Sequence, residues 1–259
     1  MAELNGTPVA PEALQALGLL NYGHFTSIRV DDQSVRGLSH HLDRLVHDCR
    51  ILFGVELDRE RIRYFIRNAI AGKEGSFVVR VTLFDPAMEL GQPAASGTPS
   101  VLVTTRPAGR LPATPIRVRT ASYSRDLPEV KHIGLFGAVL DRRNAQLNGF
   151  DDALFVDDAS FVSEGTTWNV GFYDGDRVVW PSAPVLAGVT MRLLKQVHEQ
   201  TVTIPVHIKD VPRMEAAFAT NTTIGVRPIT AINAHSLPDD HPIFQTLQKE
   251  YEEIPAERL

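Results

Sequence analysis

Asp152-Ala153-Leu154-Phe155-Val156-Asp157-Asp158 and, a few residues on, Val162-Ser163-Glu164-Gly165-Thr166-Thr167-Trp168-Asn169-Val170 set the reading of this chain. Ala153 to Val156 is a short apolar run closed by aspartates, which predicts a strand. Asn169 to Val179 predicts a hairpin turning at Asp174-Gly175. Upstream, Leu135 to Leu147 predicts a helix that Asn148-Gly149 ends. Downstream, Met191, Leu194, Lys195 and His198 mark the period of a helix over Gly188 to Gln200. Strands and helices alternate here, but hairpins interrupt them, so the class is mixed α/β (α+β) rather than a doubly wound parallel sheet.

Working outward, Ile116 to Tyr123 predicts a strand and leads through a short loop to Lys131. Ala217 to Arg227 and Pro228 to Ile232 read as strand and loop, and His241 to Glu253 as the last helix. In the N-terminal half, Phe25 to Val30 predicts a strand. Leu38, Leu42, Leu45, Cys49 and Leu52 make one face of a helix over Leu38 to Phe53. Asp58 is the expected N-cap of a second helix to Ala71, with Ile62, Phe65, Ile66 and Ala69 as its apolar stripe. Two strands, Phe77 to Phe84 and Val101 to Thr105, flank a loop rich in proline, glycine, alanine and serine, Pro86 to Ser100. Arg106 to Pro115 holds three prolines and a glycine and little that could pack, so the domain boundary is placed there. The expected organisation is a small α/β domain over residues 1–107, a linker over 108–115 and a larger domain over 116–259.

The 259 residues suffice for a sizeable buried core. With 43% hydrophobic and 22% charged residues the composition is that of a folded protein rather than a disordered one. The net charge of −5, with basic residues scattered among acids, argues against a nucleic-acid footprint. The single cysteine, Cys49, excludes an internal disulfide and fits a reducing compartment. No apolar run approaches the roughly 20 residues that span a bilayer, and the N-terminus does not read as a secretory signal. A cytoplasmic location, without membrane or nucleic-acid partners, is expected. No Walker-type loop, dinucleotide fingerprint or Gly-x-Ser-x-Gly elbow is present. His40-His41 with His47 is a weak metal signal, because neighbouring helix residues point about 100° apart and share one ion poorly. No metal is expected.

Lys131, in Leu127-Pro128-Glu129-Val130-Lys131-His132-Ile133-Gly134, and Glu164 each specify nothing alone. A loop lysine is usually a solvated charge, and a glutamate before glycine is usually a turn residue. An ordered set changes their weight: Asn21-Tyr22-Gly23-His24-Phe25-Thr26-Ser27-Ile28-Arg29-Val30, His40-His41-Leu42-Asp43-Arg44-Leu45, Lys131-His132, the two stretches quoted first, Gly188-Val189-Thr190-Met191-Arg192, and Ala219-Thr220-Asn221-Thr222-Thr223-Ile224-Gly225-Val226-Arg227-Pro228. Together these resemble the class IV aminotransferases, the fold type IV pyridoxal-phosphate enzymes that include branched-chain and D-amino-acid aminotransferases and aminodeoxychorismate lyase. The resemblance runs from about residue 5 to residue 232.

It implies a small α/β sandwich domain, a larger barrel-like domain and pyridoxal 5'-phosphate in a cleft between them. Lys131 matches the lysine that forms the Schiff base and moves the proton. Glu164 matches the acid beside the pyridine nitrogen, which keeps that nitrogen protonated and the ring an electron sink. Arg44 matches a phosphate-binding arginine; it lies about 100° off its helix's apolar stripe, at the margin where a charge can reach a cleft. Val189 and Thr190 match the helix start whose amides hold the phosphate, since unpaired N–H groups and the dipole favour an anion there. Thr222 matches a further phosphate contact, and Thr166 and Thr167 the hydroxylic residues lining the cofactor. A homodimer is implied as well. Tyr22 and His24 read equally as cleft or interface residues and as ordinary packing.

Some positions depart from the family. Thr26 stands where many members carry an acid, Ile133-Gly134-Leu135 where an asparagine is usual, and Thr82-Leu83-Phe84-Asp85-Pro86 where Thr-Arg-Gly is common. Thr26 and the Lys131-His132 pair lean toward the lyase, and the other departures toward a divergent aminotransferase. The expected activity is transamination between an amino acid or amine and a keto acid. A pyruvate-releasing lyase is the alternative, and a non-catalytic binding protein of the same fold a second one.

Overall fold

The computed structural model describes residues 2–95 and 97–259. The chain forms two compact units. One holds the residues up to Gly109 together with Val130–Gly134 and Ala256–Leu259; the other holds Arg110–Glu129 and Leu135–Pro255. The division at 109/110 falls within the proline-rich segment. Neither unit is continuous in sequence, however, because the Lys131 segment and the C-terminus both group with the first.

The first unit contains β1 (Ala2–Leu4), β2 (Thr7–Pro8), α1 (Gln15–Leu19), β3 (His24–Asp31), β4 (Ser34–Arg36), α2 (Leu38–Phe53), α3 (Arg59–Ile70), β5 (Ser76–Phe84), β6 (Ser100–Pro107) and the chain's last strand, β16 (Ala256–Arg258). Its seven strands run β16-β4-β3-β5-β6-β1-β2, antiparallel throughout. Ile28 and Val30 of β3, Val79, Val81 and Leu83 of β5, and Val101 and Val103 of β6 share one core with the apolar stripes of α2 and α3. That is the period-2 pattern of strands meeting the period-3.6 pattern of helices. Asp58 caps α3, accepting from Glu60 N at 2.9 Å and Arg61 N at 3.3 Å. Gly54 closes α2 at φ 66°, a conformation glycine adopts without strain. β6 runs two residues past the expected strand end at Thr105, through Arg106 and Pro107, the last residues of the expected small domain.

The second unit contains β7 (Ile116–Ser122), α4 (Phe136–Leu147), β8 (Asp152–Val156), β9 (Val162–Gly165), β10 (Asn169–Tyr173), β11 (Val178–Pro181), α5 (Val189–Val197), β12 (Thr201–Ile204), β13 (Ala216–Asn221), β14 (Gly225–Ile232), β15 (His235–Ser236) and α6 (Pro242–Glu253). Its nine strands run β12-β11-β10-β13-β14-β7-β8-β9, with β15 beside β14. Three pairs are parallel: β11 with β12, β14 with β7, and β7 with β8. The sheet curls, and a tight turn in which Gly165 N donates to Trp168 O at 2.8 Å joins β9 to β10. This is the expected barrel-like half. Alternation along β8 serves two cores: Leu154 and Val156 pack among the other strands, Ala153 and Phe155 beneath Ala138 and Ala145 of α4. Trp180 and Phe218 meet α5 and α6 through Leu194, Phe244 and Leu247.

Three expectations need correction. The helix expected over Gly188 to Gln200 runs only Val189–Val197, because His198 turns extended at ψ 112° and the chain enters β12. The segment read as strand and loop after Ala217 is a hairpin of two strands, turning through Gly225 at φ 61°. Val162–Gly165, unassigned from sequence, is the strand that carries Glu164.

Candidate active site

The first unit holds Lys131 by its backbone. Phe25 N donates to Lys131 O at 2.9 Å, Ile133 N donates to Gly23 O at 3.0 Å, and Lys131 N donates to Asp48 Oδ2 at 3.0 Å. The segment thus lies along the start of β3, with His24 bridged to His132. Lys131 itself is half-buried, and its Nζ stands 4.8 Å from the centroid of the Phe25 ring. Arg80 lies 3.6 Å from the same ring.

Arg44 is nearer the interior than its helical position implies: 8% of it is exposed. Its Nη2 donates to Thr26 Oγ1 at 2.6 Å and stands 3.4 Å from His41 Nδ1, while Thr26 Oγ1 and His41 Nδ1 are 2.7 Å apart. Thr26 brings no charge to the guanidinium where an acid would. Burial, and after it the Arg44 charge, push the His24 imidazole down to about 3. The same two causes, with a smaller contribution from Lys131, hold His41 well below its ordinary range. Both rings are therefore neutral at pH 7. Burial raises the Asp48 carboxyl above the usual range, against opposing effects of its hydrogen bonds. The Tyr22 hydroxyl donates to Leu52 O at 2.9 Å.

The second unit gathers Glu164, Thr166, Thr167, Val189, Thr190 and Thr222. Glu164 is buried; its Oε1 accepts from Leu186 N at 3.4 Å and lies 3.7 Å from Arg125 Nε. Gly165 has no substitute, since a Cβ there would sit 2.0 Å from the Trp168 ring. The hydroxyls of Thr166 and Thr167 accept from Arg142 Nη2 at 2.5 and 2.7 Å. Asn169 Nδ2 donates to Leu186 O at 2.8 Å, and its Oδ1 accepts from Gly188 N at 3.1 Å. Gly188 is the N-cap of α5, and no side chain caps that helix. Val189 and Thr190 are its first residues, both buried, and the Thr190 hydroxyl has no hydrogen-bond partner among the described residues. Asn221 Nδ2 donates to Thr167 O at 3.1 Å, and its Oδ1 accepts from Thr223 N and Ile224 N at 2.8 and 3.0 Å. That turn carries Thr222.

A helix start with no side-chain cap, beside a buried hydroxyl without a partner among the described residues, is a setting that favours an anion. The family model for class IV amino-transferases matches residues 23–232. The chain belongs to the class IV aminotransferases. A Methanocaldococcus jannaschii protein named as a branched-chain-amino-acid aminotransferase is 25% identical over 249 residues, 90% of this chain and 86% of that one. Among solved structures, the branched-chain aminotransferase of Thermoproteus uzoniensis superposes with a TM-score of 0.86 at 20% identity, covering 97% of this chain and 93% of that one. The Thermobaculum terrenum enzyme, in its pyridoxal-phosphate form, superposes with a TM-score of 0.86 at 18% identity, covering 98% and 92%. These two likenesses establish the fold.

Class IV aminotransferases are pyridoxal-phosphate enzymes that take amino acids and keto acids, and a buried Thr190 hydroxyl without a partner among the described residues, at the start of α5, is compatible with a phosphate there. Among the described residues, no helix is long and apolar enough to cross a membrane. Sequence reasoning missed Arg125, Arg142, Asp152 and Asp48. A paired charge of this kind shows itself only when its partner is known.

Proposed function

We propose that Lys131 is the residue that takes pyridoxal phosphate covalently. Arg44, Val189, Thr190 and Thr222 hold its phosphate, and Glu164 holds the proton on its pyridine nitrogen. The cofactor supplies an aldehyde carbon for covalent attachment and a ring that draws electrons from the substrate Cα. Arg125 Nε lies 3.7 Å from Glu164 Oε1 and holds the carboxylate in place. Lys131, whose backbone N–H and C=O are both hydrogen-bonded, carries a proton away from the substrate Cα with its amine. Thr166 and Thr167 belong to the turn supporting Glu164, with their hydroxyls engaged by Arg142.

The observation that carries this reading is the buried Glu164 tied through Leu186 and Asn169 to the uncapped start of α5. The names of the relatives support branched-chain amino acids as donors and the matching keto acids as acceptors. A cytoplasmic homodimer is the working form. The purified enzyme, supplied with pyridoxal phosphate, is expected to show a visible absorbance band that Lys131→Ala lacks, and borohydride should fix the cofactor to the Lys131 peptide. Adding leucine or valine without an acceptor should convert the band to that of the pyridoxamine form. No conversion with any amino acid or amine, together with pyruvate release from aminodeoxychorismate, would make the enzyme the lyase instead.

A further inference from the structure

We propose that Arg142 is a positioning residue for the cofactor site, holding the Glu164–Asn169 segment through Asp152 and through the hydroxyls of Thr166 and Thr167. This rests on the reading above, in which Glu164 and the start of α5 contact the cofactor.

Arg142 projects from α4 and meets Asp152 with two bonds, Nε to Oδ1 at 3.1 Å and Nη2 to Oδ2 at 2.8 Å. The same Nη2 reaches Thr166 Oγ1 and Thr167 Oγ1 at 2.5 and 2.7 Å. Thr166 passes its own proton on to Asp152 Oδ1 at 2.7 Å, and Trp168 Nε1 donates to Asp152 Oδ2 at 2.9 Å. One arginine and one aspartate thereby fix three consecutive residues of the turn after Glu164. Asp152 is in turn anchored at the start of β8, beside the parallel partner β7. A planar fork with several fixed donors suits such a convergence of acceptors; an ammonium group can only approximate it.

The turn is the hub of the site. Its near end carries Glu164, whose Oε1 accepts from Leu186 N. Its far end carries Asn169, which binds Leu186 O and Gly188 N and so sets where α5 begins. Thr167 O receives the Asn221 side chain, which shapes the Thr222 turn. A shift of Thr166 and Thr167 is therefore felt at the carboxylate, at the helix start and at Thr222 together, although Arg142 itself touches none of them.

The test uses Arg142→Met and Arg142→Lys, with Thr167→Val removing one acceptor while sparing the ion pair. Three quantities are read: pyridoxal-phosphate affinity by titration, the pH midpoint of the visible band, and the melting temperature of the cofactor-free protein. Arg142→Met is expected to weaken the cofactor on the order of tenfold and to shift the band's midpoint, as a mispositioned charge-bearing support does. Arg142→Lys should restore part of both, and Thr167→Val should show a smaller change of the same kind. Affinity and midpoint within twofold and 0.2 pH units, roughly the scatter of such titrations, in Arg142→Met would overturn the proposal. Should that variant not fold, unchanged values in both Arg142→Lys and Thr167→Val overturn it equally. Glu164→Gln and Thr190→Val separate the two readings. If they leave affinity and band unchanged, the assignment of the site fails; if they alter them while the Arg142 and Thr167 variants do not, only the role of Arg142 fails.

Discussion

His24 and His41 are fully buried imidazoles beside a guanidinium, and both burial and that charge favour their neutral forms. In the unfolded chain each takes a proton near 6.5, whereas folded His24 does so only near 3. Between those values the unfolded state binds more protons, so stability is full above pH 6.5 and falls as the pH drops. The slope approaches about 1.4 kcal/mol per pH unit for each such group. Neither ring nitrogen of His24 has a hydrogen-bond partner among the described residues, so the ring is costly to keep even when neutral. His24→Phe should therefore flatten the acid side of the stability curve by about one proton's worth, read by urea unfolding at steps from pH 7 to pH 5. An unchanged slope would mean that His24 is already protonated in the folded protein. Little of this was legible in the sequence, where a histidine opening a strand looks like any other. Lys131, Glu164 and Arg44 stood out because they sit in blocks whose order resembles a family. Arg142 sits in no such block, and its partners lie 10 to 25 positions away.

At the scale of elements, strong periodicity was read well. α2 runs Leu38–Phe53 as its apolar face predicts, and Asp58 caps α3. The failures have local physical causes. Met191, Leu194, Lys195 and His198 keep a helical period to the end, yet the β-branched run Thr201-Val202-Thr203-Ile204 pairs in parallel with β11, a partner that only the folded chain supplies. The hairpin of β1 and β2 did leave a signal: Asn5-Gly6, with both φ values positive, is the two-residue turn that hairpins favour. The start of α5 is the element on which the cofactor reading leans most. A methyl group added at Gly188 would stand 2.2 Å from Asn169 Oδ1, the atom that accepts from Gly188 N. Gly188→Ala should break that bond and displace the first turn. Pyridoxal-phosphate affinity should fall on the order of tenfold, about the loss of one charge-assisted hydrogen bond, with helix content by circular dichroism nearly intact. Full affinity in that variant would remove the helix start from the phosphate site.

For the whole molecule, composition and alternation pointed to a mixed α/β chain, and residues 106–115 to a division between its halves. What they could not reveal is that residues 130–134 and 256–259 return to the first unit, because strand pairing at an edge leaves no periodic trace. The quaternary state is open to a similar argument from one face. On α4, Ala138 and Ala145 are buried beneath the helix, while Phe136, Val139, Leu140 and Leu147 are 79, 56, 43 and 67% exposed. At about 100° per residue these four fall within one arc of the helix, with Arg143 among them. Four large apolar side chains on one exposed helical face are unusual for a monomer, and the commonest way to cover such a face is a twofold contact with a second copy. The protein should therefore run in light scattering at twice the 28.6 kDa mass of the chain. Phe136→Ser combined with Leu147→Ser should shift that mass toward the single chain without lowering the melting temperature of the isolated subunit, since neither side chain contributes to a core. A wild-type mass of one chain at micromolar concentration would refute the dimer. A dimer that survives the double substitution would place its contact elsewhere on the surface, leaving the apolar arc of α4 without that role.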